Sequence, residues 1–277
     1  MSERNRQRVM GVLPAAGTAS RLGRLPCSKE LLPVDHRVVG GLACGGPRVA
    51  AQFLVDGFRE AGAESAVIVL REGKWDIPTY FGDGSDHGIR FAYVLAEHPF
   101  GVPYSVDAAV GLVRDSVVLF GFPDILSEPL DALSILLDDL YGHEDDLVLG
   151  LFRANSPQKM DMVRLDPSGA FAGLEIKPAS TDLTYTWILA AWRPRFTSFL
   201  HEWVRKSLEE QPDGPEVGGR EPYLGDVVVA AWDSGFNVGT RVFETGSYID
   251  VGTPDELRKA VHRYSRVADE SETGACE

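Results

Sequence analysis

Residues 9–22 read VMGVLPAAGTASRL, and residues 28–33 read SKELLP. Residues 9–14 form an apolar run that is typical of a buried β-strand, and the small residues after it indicate a tight turn. A turn made of alanine and glycine lets backbone N–H groups approach phosphate oxygens, which bulky side chains would prevent. The stretch therefore favours an α/β sheet with a phosphate-binding loop after its first strand, although plain strand-to-helix turns have the same composition.

Two cations follow this loop. Arg21 offers a planar fork of donors for phosphate oxygens, and Lys29 adds a compact positive charge. Together they could neutralise charge on an α-phosphate and a leaving pyrophosphate, although two solvated surface cations would look the same in sequence. The loop matches neither G-x-x-x-x-G-K-[ST] nor G-x-G-x-x-G, which excludes a Walker-type loop and disfavours a dinucleotide fold.

The remainder of the chain alternates β-rich and amphipathic runs, which predicts a Rossmann-like, mostly parallel mixed sheet with helices on both faces. Predicted strands in the first half are residues 9–14, 66–70, 90–95, 116–121 and 147–152, and predicted helices are 47–61 and 128–141. A smaller β-rich lobe follows, with strands near residues 160–165, 171–176 and 185–192 and helices near 196–209 and 223–234.

This pattern predicts one domain over residues 1–267, with a nucleotide-binding half at about 9–155 and an acceptor-binding half at about 156–267. Residues 268–277 have the composition of a disordered tail. The length of 277 residues suits a single large core, and no apolar run approaches the roughly 20 residues that cross a bilayer.

The net charge indicates which partners are disfavoured, and the N-terminal residues indicate where in the cell to expect the protein. The net charge of -14 opposes non-specific binding to nucleic acid or to anionic membranes. The N-terminus has no apolar signal-peptide core, so we expect a cytoplasmic protein. The sequence leaves the oligomeric state open, and a homo-oligomer is compatible with it.

The loop and its two cations resemble a known signature. The stretches LPAAGTASRL and SKELLP are similar to G-x-G-T-R-L and P/S-K-x-L-L-P of glucose-1-phosphate thymidylyltransferases and UDP-glucose pyrophosphorylases. Further matches follow in the same order: residues 81–85 (FGDGS), 99–101 (PFG), 175–178 (EIKP) and 250–254 (DVGTP). The resemblance implies a GT-A-like nucleotidyltransferase fold and a sugar-phosphate nucleotidyltransferase.

Two aspartates are candidate ligands of Mg²⁺. Asp124 ends an apolar strand, where open α/β sheets bind ligands, and Asp250 precedes a glycine turn that opens a helix. The resemblance implies the same pair, whereas the structural alternatives are a helix-start residue and a turn residue. It also implies that Lys177 grips the acceptor phosphate beside Arg21 and Lys29 as catalytic cations, although Lys177 could equally be an outward-facing strand lysine.

The resemblance and the chemistry of the side chains together give candidate residues around each substrate. Those expected near the nucleotide are Leu13, Ala15, Ala16, Gly17, Thr18, Glu97 and Gly101. Those expected near the acceptor are Asp161, Glu175, Ile176, Tyr185 and Trp187. Ala96 aligns with the glutamine that reads the base in relatives, so the sequence does not name the base.

The acceptor pocket departs from the family pattern. Ile176 replaces a glutamate that binds sugar hydroxyls, while Asp161 and Leu189 replace glycines. These changes should weaken recognition of a plain hexose. An aromatic cage around Asp161, formed with tyrosine and tryptophan side chains at 185, 187 and 192, could instead suit a less hydroxylated or cationic acceptor, although aromatics in an apolar strand are usually core residues.

The predicted function is Mg²⁺-dependent transfer of a nucleoside monophosphate from an NTP to a small phosphorylated acceptor, a sugar 1-phosphate or a related phosphate or phosphonate, with release of pyrophosphate. One alternative is a catalytically inactive protein that senses nucleotide or sugar phosphate on the same fold. A nicotinamide-dependent oxidoreductase is a third reading, which the missing dinucleotide glycine pattern disfavours.

Overall fold

The computed structural model describes residues 7–17, 20–35, 47–98, 100–212, 214, 217 and 220–271. The strands are β1 (Val9–Pro14), β2 (Pro33–Asp35), β3 (Arg48–Val49), β4 (Ser65–Leu70), β5 (Arg90–Leu95), β6 (Val117–Gly121), β7 (Ile125–Glu128), β8 (Leu147–Arg153), β9 (Asp161–Leu165), β10 (Phe171–Ile176), β11 (Tyr185–Trp192), β12 (Val238–Val242) and β13 (Ser247–Asp250). The α-helices are α1 (Ala50–Glu60), α2 (Asp76–Phe81), α3 (Val102–Asp107), α4 (Val110–Val113), α5 (Ala132–Gly142), α6 (Pro194–Glu210), α7 (Leu224–Asp233) and α8 (Pro254–Ser271).

One large mixed sheet forms the centre of the molecule. Its strand order is β10-β9-β11-β6-β1-β4-β5, and β8 pairs with β11 and with β12. Strands β6, β1, β4 and β5 run parallel to one another, whereas β11 is antiparallel to β6, β8 and β9. The strands predicted for the acceptor lobe therefore extend the nucleotide-binding sheet.

Alternating apolar side chains of the central strands build a separate core on each face of the sheet. In β6, Val117 and Leu119 face one core, while Val118 and Phe120 face the other. Helices α1 and α5 cover the first core, and α3, α6 and α7 cover the second. The predicted α/β class with helices on both faces is thus confirmed. Both faces must be covered because parallel strands are apolar on both sides.

A short ribbon lies beside the main sheet. β13 pairs antiparallel with β7, and Asp250 lies opposite Ile125. Leu126 and Ile249 of this ribbon pack with Ala260 and Tyr264 of α8 in a third apolar cluster. The ribbon therefore joins the segment that precedes α8 to the segment that follows β6.

The sequence predicted most of the main-sheet strands within a residue or two, but it missed β2, β3, β7, β12 and β13. The last helix, α8, continues to Ser271 and so overlaps the first four residues of the predicted tail, where no proline or glycine interrupts a helix. The rest of that predicted tail, residues 272–277, lies outside the described part of the chain. No helix in the described ranges combines the length and apolar composition of a membrane span.

Candidate active site

A cleft of about 690 Å³ opens at the carboxyl ends of the parallel strands, the edge where open α/β sheets bind ligands. Its lining includes Arg21, Lys29, Asp124, Lys177 and Asp250. These are all the residues for which a catalytic or metal-binding role is expected from the sequence. The fold thus brings together charged side chains from the start, the centre and the end of the chain.

The ribbon of β7 and β13 brings the two aspartates together. The backbone N–H of Val251 donates to the carbonyl of Asp124 at 2.9 Å, and Oδ1 of Asp250 accepts from the N–H of Gly252 at 2.8 Å. Burial raises the pKa of the Asp250 carboxyl, and the charge of Asp124 raises it further. Two carboxylates that repel one another in a cleft form a site where a cation is favourable.

Lys29 forms an ion pair with Asp124 in this cleft. Burial acts to lower the pKa of Lys29, but the charge and hydrogen bond of Asp124, with Glu30 and Asp250 nearby, outweigh burial and raise the pKa. Lys29 is therefore a fixed positive charge at neutral pH.

Residues 74–76 hold the segment that carries Lys29, and sequence reasoning missed them. Oδ1 of Asp76 accepts from the Ser28 hydroxyl at 2.7 Å, and Oδ2 accepts from the Ser28 N–H at 2.5 Å. Lys74 Nζ lies 2.8 Å from both carboxylate oxygens of Glu30, with side chains only 5% and 1% exposed. We call these contacts the 74–76 clamp. A Lys-Glu pair so distant in sequence leaves no local pattern by which to find it.

At the end of β1 and in the loop after it, some residues are buried in the core and others line the cleft. Ala16 and Gly17 line the cleft, as expected for nucleotide-binding residues. Leu13 and Ala15 are buried in the core instead, and the Ala15 N–H donates to the carbonyl of Val69 at 2.7 Å. Their side chains therefore face the core rather than the cleft, since side chains along an extended segment alternate between faces. Thr18 lies outside the described residues.

Of the two residues expected near the base, Gly101 lines the cleft and Glu97 is exposed and does not. Gly101 has φ 118°, a conformation that favours glycine. A Cβ there would lie 2.5 Å from the carbonyl oxygen of Pro222. The space that this glycine leaves is therefore filled by the chain before α7.

Lys177 is held in an unusual backbone conformation at the mouth of the cleft. Its φ is 41°, the one positive value among non-glycine residues in the described ranges. Its Nζ lies 3.4 Å from the centre of the Tyr223 ring, which Arg220 also contacts at 4.6 Å. Non-glycine residues with positive φ occur at sites where surrounding contacts compensate the strain. Lys177 is exposed directly after β10, and it lines the cleft.

Two of the residues expected around the acceptor, Asp161 and Trp187, line the cleft. Burial raises the pKa of Asp161 to about 6, against the opposing charge of Lys177. Glu175 pairs with Arg164 and does not line the cleft.

The other expected acceptor residues point elsewhere. The Tyr185 hydroxyl donates to Glu244 at 2.9 Å, and Ile176 packs towards Gly225 beside Asp161. Trp192 is in the core, where its Nε1 donates to Thr197 at 2.9 Å. The aromatic cage around Asp161 is therefore not formed.

Leu189 is also a core residue, 5% exposed, and it does not fill the acceptor pocket. A bulge between Trp187 and Leu189 in the pairing with β8 sets its orientation, which the sequence pattern does not reveal. The residues that line the cleft unexpectedly include Glu30, Ser105, Phe122, Met160, Glu221 and Tyr223.

The donor set of the cleft suits a hard divalent cation. Asp124 and Asp250 supply carboxylate oxygens, and Mg²⁺ is usually held by one or two carboxylates together with water and substrate phosphates. Within the described part of the chain no cluster of three or more His, Cys, Asp or Glu residues surrounds one point. A metal bound here would therefore need substrate oxygens to complete its coordination.

The chain has relatives among nucleotidyltransferases. It is 24% identical over 255 residues to the low-salt glycan biosynthesis nucleotidyltransferase of Haloferax volcanii, covering 90% of this chain and 64% of that protein. It is 23% identical over 179 residues to the glucose-1-phosphate thymidylyltransferase of Streptomyces antibioticus, covering 64% of this chain and 48% of that protein. The chain thus spans less than two thirds of these relatives. No protein-family model matches it.

Solved structures show the same fold. A glucose-1-phosphate thymidylyltransferase structure from Bacillus anthracis, in complex with sucrose, superposes with a TM-score of 0.75 at 16% identity, covering 92% of this chain and 95% of that chain. A UDP-glucose pyrophosphorylase complexed with UDP-glucose gives 0.72 at 17% identity, covering 93% and 98%.

The fold is that of the sugar-phosphate nucleotidyltransferases, and the homologues carry that class of name. The resemblance predicted from the sequence is confirmed, and the oxidoreductase alternative has no counterpart among these relatives.

Proposed function

We propose that the chain is a nucleotidyltransferase that joins a nucleoside monophosphate from an NTP to a small phosphorylated acceptor and releases pyrophosphate. The observation that carries this proposal is the convergence of Arg21, Lys29, Asp124, Lys177 and Asp250 on one cleft. Three cations and two carboxylates match the needs of a reaction between two phosphate compounds and a metal ion.

In the proposed reaction an oxygen of the acceptor phosphate forms a bond to the α-phosphorus of the NTP. The bond between the α-phosphorus and the bridging oxygen breaks, and pyrophosphate leaves with that electron pair. No general base is required, because the acceptor phosphate is ionised near neutral pH. Positioning and charge compensation supply the rate, as in other phosphoryl transfers.

Each charged residue has a proposed task. Arg21 and Lys29 hold the triphosphate and balance the charge that builds on the leaving pyrophosphate. Lys177 holds the acceptor phosphate and aims its oxygen. Asp124 and Asp250 would hold Mg²⁺, which screens the repulsion between the two phosphate groups.

The test is pyrophosphate release from a matrix of the common NTPs against sugar phosphates, amino-alcohol phosphates and phosphonates. With the best pair, Arg21→Ala and Asp124→Asn should each lower turnover by roughly 10²- to 10³-fold. Matched controls are Arg90→Ala and Asp255→Asn, whose side chains are 76% and 79% exposed and lie outside the cleft. Both controls should keep wild-type turnover.

Wild-type turnover in the Arg21 and Asp124 variants would contradict the assignment. NTP binding by calorimetry without pyrophosphate release from any acceptor would instead favour the inactive sensor.

A further inference from the structure

The ammonium group of Lys177 has an aromatic partner inside the cleft. Its Nζ lies 3.4 Å from the centre of the Tyr223 ring, and both residues line the cleft. The charge of Lys177 acts to lower the pKa of Asp161, yet in the described part of the chain no carboxylate forms an ion pair with Lys177. The ring therefore holds the ammonium group where an acid could have done so.

An aromatic ring holds a cation differently from a carboxylate. The attraction comes from the electron-rich face of the ring, which carries no net charge. A carboxylate would cancel the charge of the lysine and accept hydrogen bonds from its N–H groups. A ring leaves the charge in place, and the N–H groups that point away from it stay free to donate to a phosphate. The contact can therefore position Lys177 without competing with a bound phosphate.

Lys177 would be poorly fixed without this contact. It is exposed, it directly follows β10, and its flexible four-carbon stem carries large rotamer entropy. Its backbone φ of 41° is a conformation that persists only where surrounding contacts support it. The ring supplies an attachment point at the far end of the side chain.

Tyr223 is itself held firmly at the start of α7. Its backbone N–H donates to Oδ2 of Asp226 at 2.8 Å. Arg220 donates to both carboxylate oxygens of Asp226, at 2.9 and 2.8 Å. The next residue, Leu224, is only 3% exposed and anchors the helix in the core. The ring is thus presented from a fixed backbone.

Resting on the proposed function, we propose that Tyr223 is a positioning residue: the face of its ring holds the Lys177 ammonium group where the acceptor phosphate binds. Tyr223 acts through Lys177 and takes no part in the reaction. Because the ring face alone carries the role, the aromatic ring is required and the hydroxyl is not. The two residues are far apart in sequence, so their contact leaves no local pattern by which to find it.

The contact is tested first by NMR, on protein labelled with ¹³C at the ε-carbon of lysine. Protons above a ring face are shielded, so the ε-methylene resonance of Lys177 in wild type should lie upfield of its position in Tyr223→Leu. Its loss in Lys177→Met assigns the resonance. The upfield position should persist in Tyr223→Phe. It should also persist in Tyr141→Leu, the matched control, which removes a tyrosine ring that is 49% exposed and outside the cleft.

The role is tested by the kinetics of the best substrate pair. Tyr223→Leu should lower kcat/KM for the acceptor roughly three- to fivefold, as for an exposed cation–π contact, and leave KM for the NTP unchanged. Tyr223→Phe and Tyr141→Leu should keep wild-type values. In a Lys177→Met background, Tyr223→Leu should have no further effect, because the contact is already gone. Single-turnover assays at high enzyme concentration keep these slow variants measurable.

Electrostatics is separated from shape by incorporating pentafluorophenylalanine at position 223. This side chain has nearly the shape of phenylalanine but an electron-poor ring face, so it should reproduce the loss expected for Tyr223→Leu. Urea unfolding of each variant checks that the fold is retained. The fluorinated side chain also decides the question if Tyr223→Leu does not fold.

Three results would each overturn the role of Tyr223: a Lys177 resonance at the same position in wild type and Tyr223→Leu, equal losses in Tyr223→Phe and Tyr223→Leu, or additive losses in the double variant. These results leave pyrophosphate release untouched, so the transferase would stand. Absence of pyrophosphate release from every substrate pair overturns the transferase and with it the role of Tyr223, while the NMR shift would still establish the contact.

Discussion

At the scale of single residues, Asp161 shows how a site can work against stability. The family resemblance places a glycine at this position, and burial raises the pKa of Asp161 to about 6 despite Lys177 and Arg220 nearby. Asp226 adds a like charge that acts in the same direction as burial. At neutral pH the Asp161 carboxylate is thus ionised in surroundings that destabilise its negative charge. Such a residue is more readily explained by ligand binding than by folding.

Asp161→Asn should therefore change the pH dependence of stability. Between the ordinary pKa of 3.8 and the folded pKa of about 6, the folded protein keeps a proton that the unfolded chain releases. This group's contribution to stability is complete below pH 3.8 and is lost as pH rises through 6. Relative to wild type, the variant should gain up to roughly 3 kcal/mol between pH 4 and pH 8.

Urea unfolding of both proteins at intervals across this range measures the difference, in which the other carboxylates cancel. Asp255→Asn, at an exposed position, should track wild type throughout. A constant difference between Asp161→Asn and wild type at all pH values would disprove the prediction.

At the scale of elements, short connections position the charged side chains. Burial raises the pKa of Glu30 and lowers that of Lys74, each against the attraction of its partner. The 74–76 clamp thus stabilises the Lys29 segment only while both partners are present. Lys29 therefore depends for its position on Lys74 and Asp76, which do not line the cleft.

Lys74→Met should cost about 3–5 kcal/mol of unfolding free energy, because it leaves the Glu30 carboxylate buried and unpaired. The double variant Lys74→Met/Glu30→Met should recover most of that loss, since the buried charge is removed as well. Urea unfolding of the single and double variants measures both effects. Additive losses in the double variant would contradict this account of the pair.

Gly101 offers a second test at this scale. Gly101→Ala should destabilise the protein by roughly 2 kcal/mol or more, because φ 118° is strained for alanine and its Cβ meets the Pro222 carbonyl at 2.5 Å. Gly111→Ala in α4 is the matched control, since a Cβ there meets nothing within 4 Å. It should be neutral or stabilising by up to about 1 kcal/mol. Thermal or urea unfolding distinguishes the two, and equal effects would refute the argument.

At the scale of the whole molecule, the cleft couples distant parts of the chain. Its walls come from the loop after β1, the end of β6, the turn after β10 and the end of β13. A ligand that bridges these walls binds only the folded state. It should therefore stabilise the entire domain by mass action.

Mg²⁺ and an NTP together should raise the unfolding free energy by about 2.7 kcal/mol at a hundredfold excess over the dissociation constant. The increase should exceed the sum of the separate effects, because the metal takes ligands from both protein and phosphate. Asp250→Asn should lose this excess and Asp255→Asn should keep it. An identical shift by NTP with a chelator present would rule out the proposed metal role.

From the sequence alone, the α/β class, most strand positions and the cluster of charged residues could be predicted. Apolar periodicity reports burial directly, and the small residues 15–17 after a strand predict a tight turn. The signature around Arg21 and Lys29 gave the correct class of relatives because both cations lie close in sequence to the turn that presents them.

Only the tertiary structure decided which side chains share a surface. The ribbon of β7 and β13 and the 74–76 clamp each join segments far apart in sequence. Tyr185 and Leu189 were expected at the acceptor pocket but face elsewhere, since strand pairing and one bulge set their direction. The sequence pattern reveals the periodicity of buried residues along each strand. Contacts between strands depend instead on the pairing register, which is set by packing in the folded protein.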